Sequence, residues 1–297
     1  MQIIKTNAPT QSIIHDIKQI EQACKEHDGL RGSVSLDYAL NTYPDMMSLF
    51  LLYEQEELVS FLSMFVPGGD EAEISACTLP GHRRKGYFSL LLDEAGREAA
   101  EYGIRDLLFV CEAQSRDGKS TLAALRAEYR FTEYALKYRG PAKGLESPRT
   151  PRIRLREADR EDLEAVIAMS QAIFHDNPDD ARSMTHKAFE SKDRVQYIAL
   201  LENQPVGMAS VFTEEGEAWI FGLGILPGYQ GKGLGGEMLD QIIARTKGRG
   251  IENIAIEVDS TNESAFHLYT KHGFETETAF EYHAKSIAGL PVRQRDA

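Results

Sequence analysis

The chain has 297 residues, of which 42% are hydrophobic and 27% charged, an ordinary globular balance that excludes collagen-like and extensively disordered chains. Its formal net charge of −13 disfavours a nucleic-acid partner, because duplex binding depends on Lys and Arg neutralising phosphates. No apolar run approaches the ~18 residues of a membrane span, the first residues lack the order of a signal peptide, and Cys24, Cys77 and Cys111 have no metal-ligand spacing, so a cytoplasmic protein without metal or membrane contact is expected.

In chain order, the first half reads as strands Leu49–Tyr53, Leu58–Val66 and Glu73–Leu79. A helix Tyr87–Tyr102, a strand Leu107–Val110 and a final element Leu122–Tyr129 follow. Gly140 to Pro151 is rich in proline and glycine, which propagate neither helix nor sheet. It reads as a linker over 141–151, between domains 1–140 and 152–297. In the second half, strand Ile153–Arg156 precedes a helix that ends at Ser170. Strands Tyr197–Leu201, Val206–Phe212 and Trp219–Leu226 come next, then a helix Gly233–Thr246 with Met238, Leu239, Ile242 and Ile243 inward. Strand Ile254–Val258, helix Ser264–His272 and a left-handed stop at Gly273 complete the pattern.

The two halves repeat one another. Leu79-Pro80-Gly81-His82-Arg83-Arg84-Lys85-Gly86 returns 147 residues later as Leu226-Pro227-Gly228-Tyr229-Gln230-Gly231-Lys232-Gly233. Gly103-Ile104 matches Gly250-Ile251 at the same offset, and Arg130-Phe131 is set against Gly273-Phe274 with four extra residues in the first half. Each copy therefore holds a mixed α/β sheet packed by helices.

Gln230 to Gly236 joins a strand to an amphipathic helix. Glycines there let an anion approach the backbone, and the helix start behind them offers unpaired N–H groups with a partial positive charge. With its flanks, Leu223-Gly224-Ile225-Leu226-Pro227-Gly228-Tyr229-Gln230-Gly231-Lys232-Gly233-Leu234-Gly235 resembles the acyl-CoA signature of the GNAT N-acetyltransferase superfamily, Gln/Arg-x-x-Gly-x-Gly/Ala. Glu257 to Phe274, with Asn262, Leu268-Tyr269 and Gly273-Phe274, is similar to that family's second signature.

The resemblance implies two tandem GNAT folds, each a mixed, mostly antiparallel sheet flanked by helices. It implies acetyl-CoA as cosubstrate and a small-molecule or peptide amine as acceptor. The backbone of Leu223, Gly224 and Ile225 would pair with the pantetheine arm. Gln230 and the amides of Gly231, Lys232, Gly233, Leu234, Gly235 and Gly236 would hold the pyrophosphate, and Asn262 would contact the cofactor. Tyr269 would stand near the thioester sulfur as proton donor to the leaving thiolate, and Glu257 would be the base, with Glu217 as its alternative. The first copy has Phe88 at the place of Gly235, Val110 at the place of Glu257 and, on the Arg130–Gly273 match, Arg126 at the place of Tyr269. It is therefore expected to be degenerate, and the second copy catalytic. The competing expectation is an acyl-CoA-binding or sensing module without transfer. Oligomeric state is not legible.

Overall fold

A computed structural model describes residues 1–34, 36, 38–141 and 150–290. Residues 142–149 of the expected linker lie outside the described residues. In chain order come β1 (Gln2–Thr6), α1 (Gln11–Asp28), β2 (Leu49–Glu54), β3 (Glu57–Phe65), β4 (Glu71–Thr78), α2 (Tyr87–Glu101), β5 (Asp106–Glu112), α3 (Arg116–Leu125) and β6 (Glu128–Tyr138). The second half supplies β7 (Ile153–Glu157), α4 (Leu163–Phe174), α5 (Pro178–Glu190), β8 (Arg194–Leu201), β9 (Gln204–Glu214), β10 (Glu217–Ile225), α6 (Leu234–Gly248), β11 (Asn253–Asp259), α7 (Glu263–Lys271) and β12 (Phe274–Ser286). The expected strands and the two long helices are present, with ends shifted by a few residues. One reading changes, and one element is added. Leu122–Tyr129 is not one element but the end of α3 and the start of β6, and Pro178–Glu190 is a further helix opened by Asn177 and a proline in its first turn.

The chain divides into two units, and the division does not fall at the proline-rich stretch. The first unit is Met1–Thr132 together with Thr278–Ala297, and the second is Glu133–Glu277. Each half of the sequence thus sends its last strand into the other unit. In the first unit the sheet order is β1-β2-β3-β4-β5-β12, with β12 antiparallel to β5 from Phe280↔Glu112 to Ser286↔Asp106. In the second it is β6-β11-β10-β9-β8-β7, with Glu133 to Lys137 of β6 antiparallel to β11. β4–β5 and β10–β11 are parallel pairs.

Local chemistry explains these elements. The hairpins β2–β3 and β8–β9 turn on Gln55-Glu56 and Glu202-Asn203, all four with positive φ, as two-residue turns matched to strand twist require. Both sheet faces are covered in each unit. In the second, Leu234, Met238, Leu239, Ile242, Tyr269 and Phe274 pack α6 and α7 on one face, while Val166 and Met169 of α4 meet Ile198, Leu200 and Met208 on the other. The first unit repeats this with Leu91, Leu92 and Leu122 on one face and Ile17, Ile20 and Cys24 of α1 on the other.

Candidate active site

The site of the second unit begins with a register slip. Phe221 lies opposite Ser210 of β9, but Gly224 lies opposite Met208, so β10 carries one residue too many between them. Such a bulge re-aims the backbone, and Gly222 sits in it at φ +54°. On its other edge β10 pairs with β11 only from Glu217↔Asn253 to Ile220↔Ile256, although β10 runs on to Ile225 and β11 to Asp259. Beyond Ile220 the parallel strands part, and the edge of β10 at Leu223, Gly224 and Ile225 is left, among the described residues, without a ladder partner. That edge accepts an extended ligand as a sheet accepts an added strand.

Just past the bulge the chain makes a short 3-10 turn at Pro227–Tyr229, passes Gly231 at φ +71° and enters α6 through Gly233 at φ +77°. Gly233 has no side chain to cap the helix, so the first α6 amides stay available to an anion at the positive end of the helix dipole. A Cβ at Gly236 would meet His272 Nε2 at 2.6 Å, so a side chain here would force that ring to shift. Gln230 reaches back along the chain: its Nε2 donates to the Ile225 carbonyl at 2.9 Å, pinning the loop to the strand end. Lys232 Nζ donates to the Gly228 carbonyl at 3.0 Å and sits 5.3 Å above the Tyr229 ring. Arg152 donates to the Lys232 carbonyl at 2.7 Å and binds Glu237, fixing the loop from outside.

Asn262 is engaged locally. It is the N-cap of α7, its side chain accepting from the Ala265 amide at 3.1 Å. Tyr269 is 6% exposed and belongs to the apolar cluster that also holds Leu223 and Ile225 of β10. Among the described residues no group hydrogen-bonds its hydroxyl, and burial pushes the phenol up to about 12, so it is protonated throughout the physiological range. Glu257 is half-buried on β11. Ile256 and Val258 point to the α6–α7 core, which turns Glu257 to the opposite face, one residue past the last β10–β11 pair, Ile220↔Ile256. Glu217 lies at the far end of β10, five residues before Gly222, roughly 17 Å of extended chain. Its carboxylate is tied to Lys137 Nζ at 3.0 Å. Distance and ion pairing both remove it from the bulge.

Sequence reasoning missed Arg194. Its guanidinium lies over the rings of Phe212 and Phe221, at 4.7 and 5.1 Å from their centroids. Alternation along β8 and β9 places it on the Glu257 face, with the buried Gln196–Ser210 pair at 2.9 Å. The alternating pattern of β8 carried the facing of Arg194, but nothing local announced the two rings.

The first unit keeps part of this frame. β4 and β5 pair only from Glu71↔Asp106 to Ile74↔Phe109. Arg84 at φ +65° and Gly86 at φ +86° repeat the backbone of Gly231 and Gly233. Arg83 Nε donates to the Thr78 carbonyl at 3.1 Å, the anchor that Gln230 provides in the second copy. However, β4 pairs with β3 in unbroken register from Phe65↔Glu73 to Ser60↔Thr78, so the bulge is absent from that ladder. The helix ends also correct the alignment. Ser115 caps α3 as Asn262 caps α7, and Arg126 is left-handed (φ +54°) where Gly273 is (φ +93°), both 147 residues apart. The counterpart of Tyr269 is therefore Leu122, 6% exposed, and not Arg126.

Residues 14–119 and 156–274 each match the Acetyltransferase (GNAT) family, and the chain belongs to that family of acetyltransferases. It is 26% identical to the mycothiol acetyltransferase of Kineococcus radiotolerans over 289 residues, 90% of this chain and 91% of the relative. Over 99 residues, 33% of this chain and 67% of the relative, it is 36% identical to the ribosomal protein bS18-alanine N-acetyltransferase of Haemophilus influenzae. Among solved structures, a tandem GNAT protein from the clavulanic acid biosynthesis pathway has a TM-score of 0.72 at 14% identity, covering 98% of this chain and 99% of its own. At that identity the likeness concerns the fold. No helix among the described residues is long and apolar enough to cross a membrane.

Proposed function

We propose that the second unit transfers an acetyl group from acetyl-CoA to a primary amine of a small molecule or peptide by direct attack. The observation that carries this reading is the bulge at Gly222 followed at once by the uncapped start of α6. One feature offers a free strand edge for the pantetheine arm at Leu223, Gly224 and Ile225. The other offers amides from Gly231 to Gly236 for the pyrophosphate.

An alkylamine with a reference pKa of about 10.4 is protonated at neutral pH and must lose its proton before it attacks the thioester carbonyl. Glu257 is the half-buried carboxylate one residue past the last β10–β11 pair, and we assign it to accept that proton directly or through water. The amine nitrogen then bonds to the carbonyl carbon, an amide of the bulge stabilises the oxyanion, and the C–S bond breaks. Tyr269 hydrogen-bonds the departing thiolate. With its phenol at about 12 against roughly 8.5 for an ordinary thiol, outright proton transfer would be uphill by about 5 kcal/mol, so hydrogen bonding is its main contribution. Asn262 supports the site as the cap of α7.

The test is Tyr269→Phe, assayed by release of CoA thiol over a panel of amines. Turnover falls about tenfold or more while acetyl-CoA affinity, measured by calorimetry, stays near the native value. Unchanged turnover would remove the tyrosine from the mechanism. Acetyl-CoA binding with no thiol release from any amine would instead favour a binding or sensing role.

A further inference from the structure

The first unit contains a cluster that the proposed transfer chemistry does not use. Cys24, 3% exposed, lies on the inner face of α1, in the apolar layer against β2, β3 and β4. Its Sγ donates to the Thr78 carbonyl at 3.4 Å, and Arg83 Nε donates to that same oxygen at 3.1 Å. One acceptor thus brings a guanidinium to a thiol. Cys77, the residue before Thr78, is partly buried and packs against the same apolar layer that holds Cys24. Arg83 is fixed from its far side by Asp28 at 2.5 Å and Asp117 at 3.0 Å. Glu21, one α1 turn before Cys24, also acts on the pair.

We propose that Cys24 and Cys77 form a peroxide-reactive dithiol, with Cys24 attacking and Cys77 resolving, which closes into a disulfide tying α1 to β4. The Cys24 thiolate attacks one oxygen of a hydroperoxide, the O–O bond breaks, and the other oxygen leaves protonated as water or an alcohol. This gives a sulfenic acid on Cys24. The Cys77 sulfur then displaces that hydroxyl, which departs with the Cys77 proton as a second water. The two thiols together lose two electrons, and the peroxide gains them.

The thiolate is the nucleophile. The neighbouring Cys77, and after it Arg83, hold the Cys24 thiol down to about 7 against the opposing effect of burial. Burial pushes Cys111, by contrast, up to about 11, which makes it an internal reference.

The full-length reduced protein is exposed to a few equivalents of hydrogen peroxide, quenched, alkylated in denaturant and mapped by mass spectrometry. The expected product has lost two hydrogens and yields a linked Cys24–Cys77 peptide, with Cys111 alkylated. Cys77→Ser should gain oxygen on Cys24 and form no link, and Cys24→Ser should leave Cys77 reduced at the same dose. The linked wild type should also melt at a higher temperature than the reduced one. Oxidation of Cys111 before Cys24, or a Cys24–Cys77 link that forms only in denaturant, would overturn the proposal. Should either variant fail to fold, absence of the linked peptide from the wild-type map is sufficient to reject it.

Discussion

Tyr269 concentrates the residue-scale argument, because its ring lies 6% exposed within an apolar cluster that favours the neutral phenol. Its raised pKa has a second consequence. Folded and unfolded states both hold the proton below pH ~10, and the unfolded state releases it first as pH rises. Stability is therefore lost between pH ~10 and about 12, by up to about 3 kcal/mol from this group alone. Denaturant titrations over that interval should show a flatter pH dependence for Tyr269→Phe than for the native chain. Equal slopes would mean that the phenol is better solvated than its burial indicates. The residue scale is also where the sequence misled. The left-handed stop of α3 is Arg126, and without a glycine to mark it the repeat slides four residues onto Arg130. The helix caps restore the register and put Leu122, which has no hydroxyl, at the place of Tyr269. That the two copies differ was legible; the residue that stands at the place of Tyr269 was not.

At the scale of elements, the loop from Leu226 to Gly236 was readable because its chemistry is local: a proline, closely spaced glycines and an amphipathic run behind them. The bulge was not. Phe221-Gly222-Leu223-Gly224 reads as plain strand, and the surplus residue shows only once β9 supplies a register to count against. The crossing of α6 over α7 gives an element-scale prediction. Gly236→Ala places a methyl group against the His272 ring, which is held by Asp240 at 2.6 Å. The variant should lose about 1–3 kcal/mol in chemical denaturation, as overpacked contacts do. Its acetyl-CoA affinity should fall as well, because the uncapped amides belong to the same helix start. A variant as stable as the native chain would show that the histidine yields freely.

For the whole molecule, the decisive feature is the exchange of last strands, which local pattern does not encode because β6 and β12 look like ordinary strands whichever partner they take. A cut at the proline-rich stretch would separate β6 from β11 and leave β12 without β5. Residues 152–297 expressed alone should therefore be poorly soluble, whereas the continuous segment Glu133–Glu277 should fold and show a cooperative melt by circular dichroism. A well-folded 152–297 fragment and an aggregated 133–277 fragment would contradict that division. The same exchange sets the order of assembly during translation. The ribosome delivers every element of the second unit before it reaches Thr278, so the unit encoded later can close first. The unit that holds β1 to β5 must wait, with one edge of β5 bare, until Phe280 to Ser286 of β12 have been read.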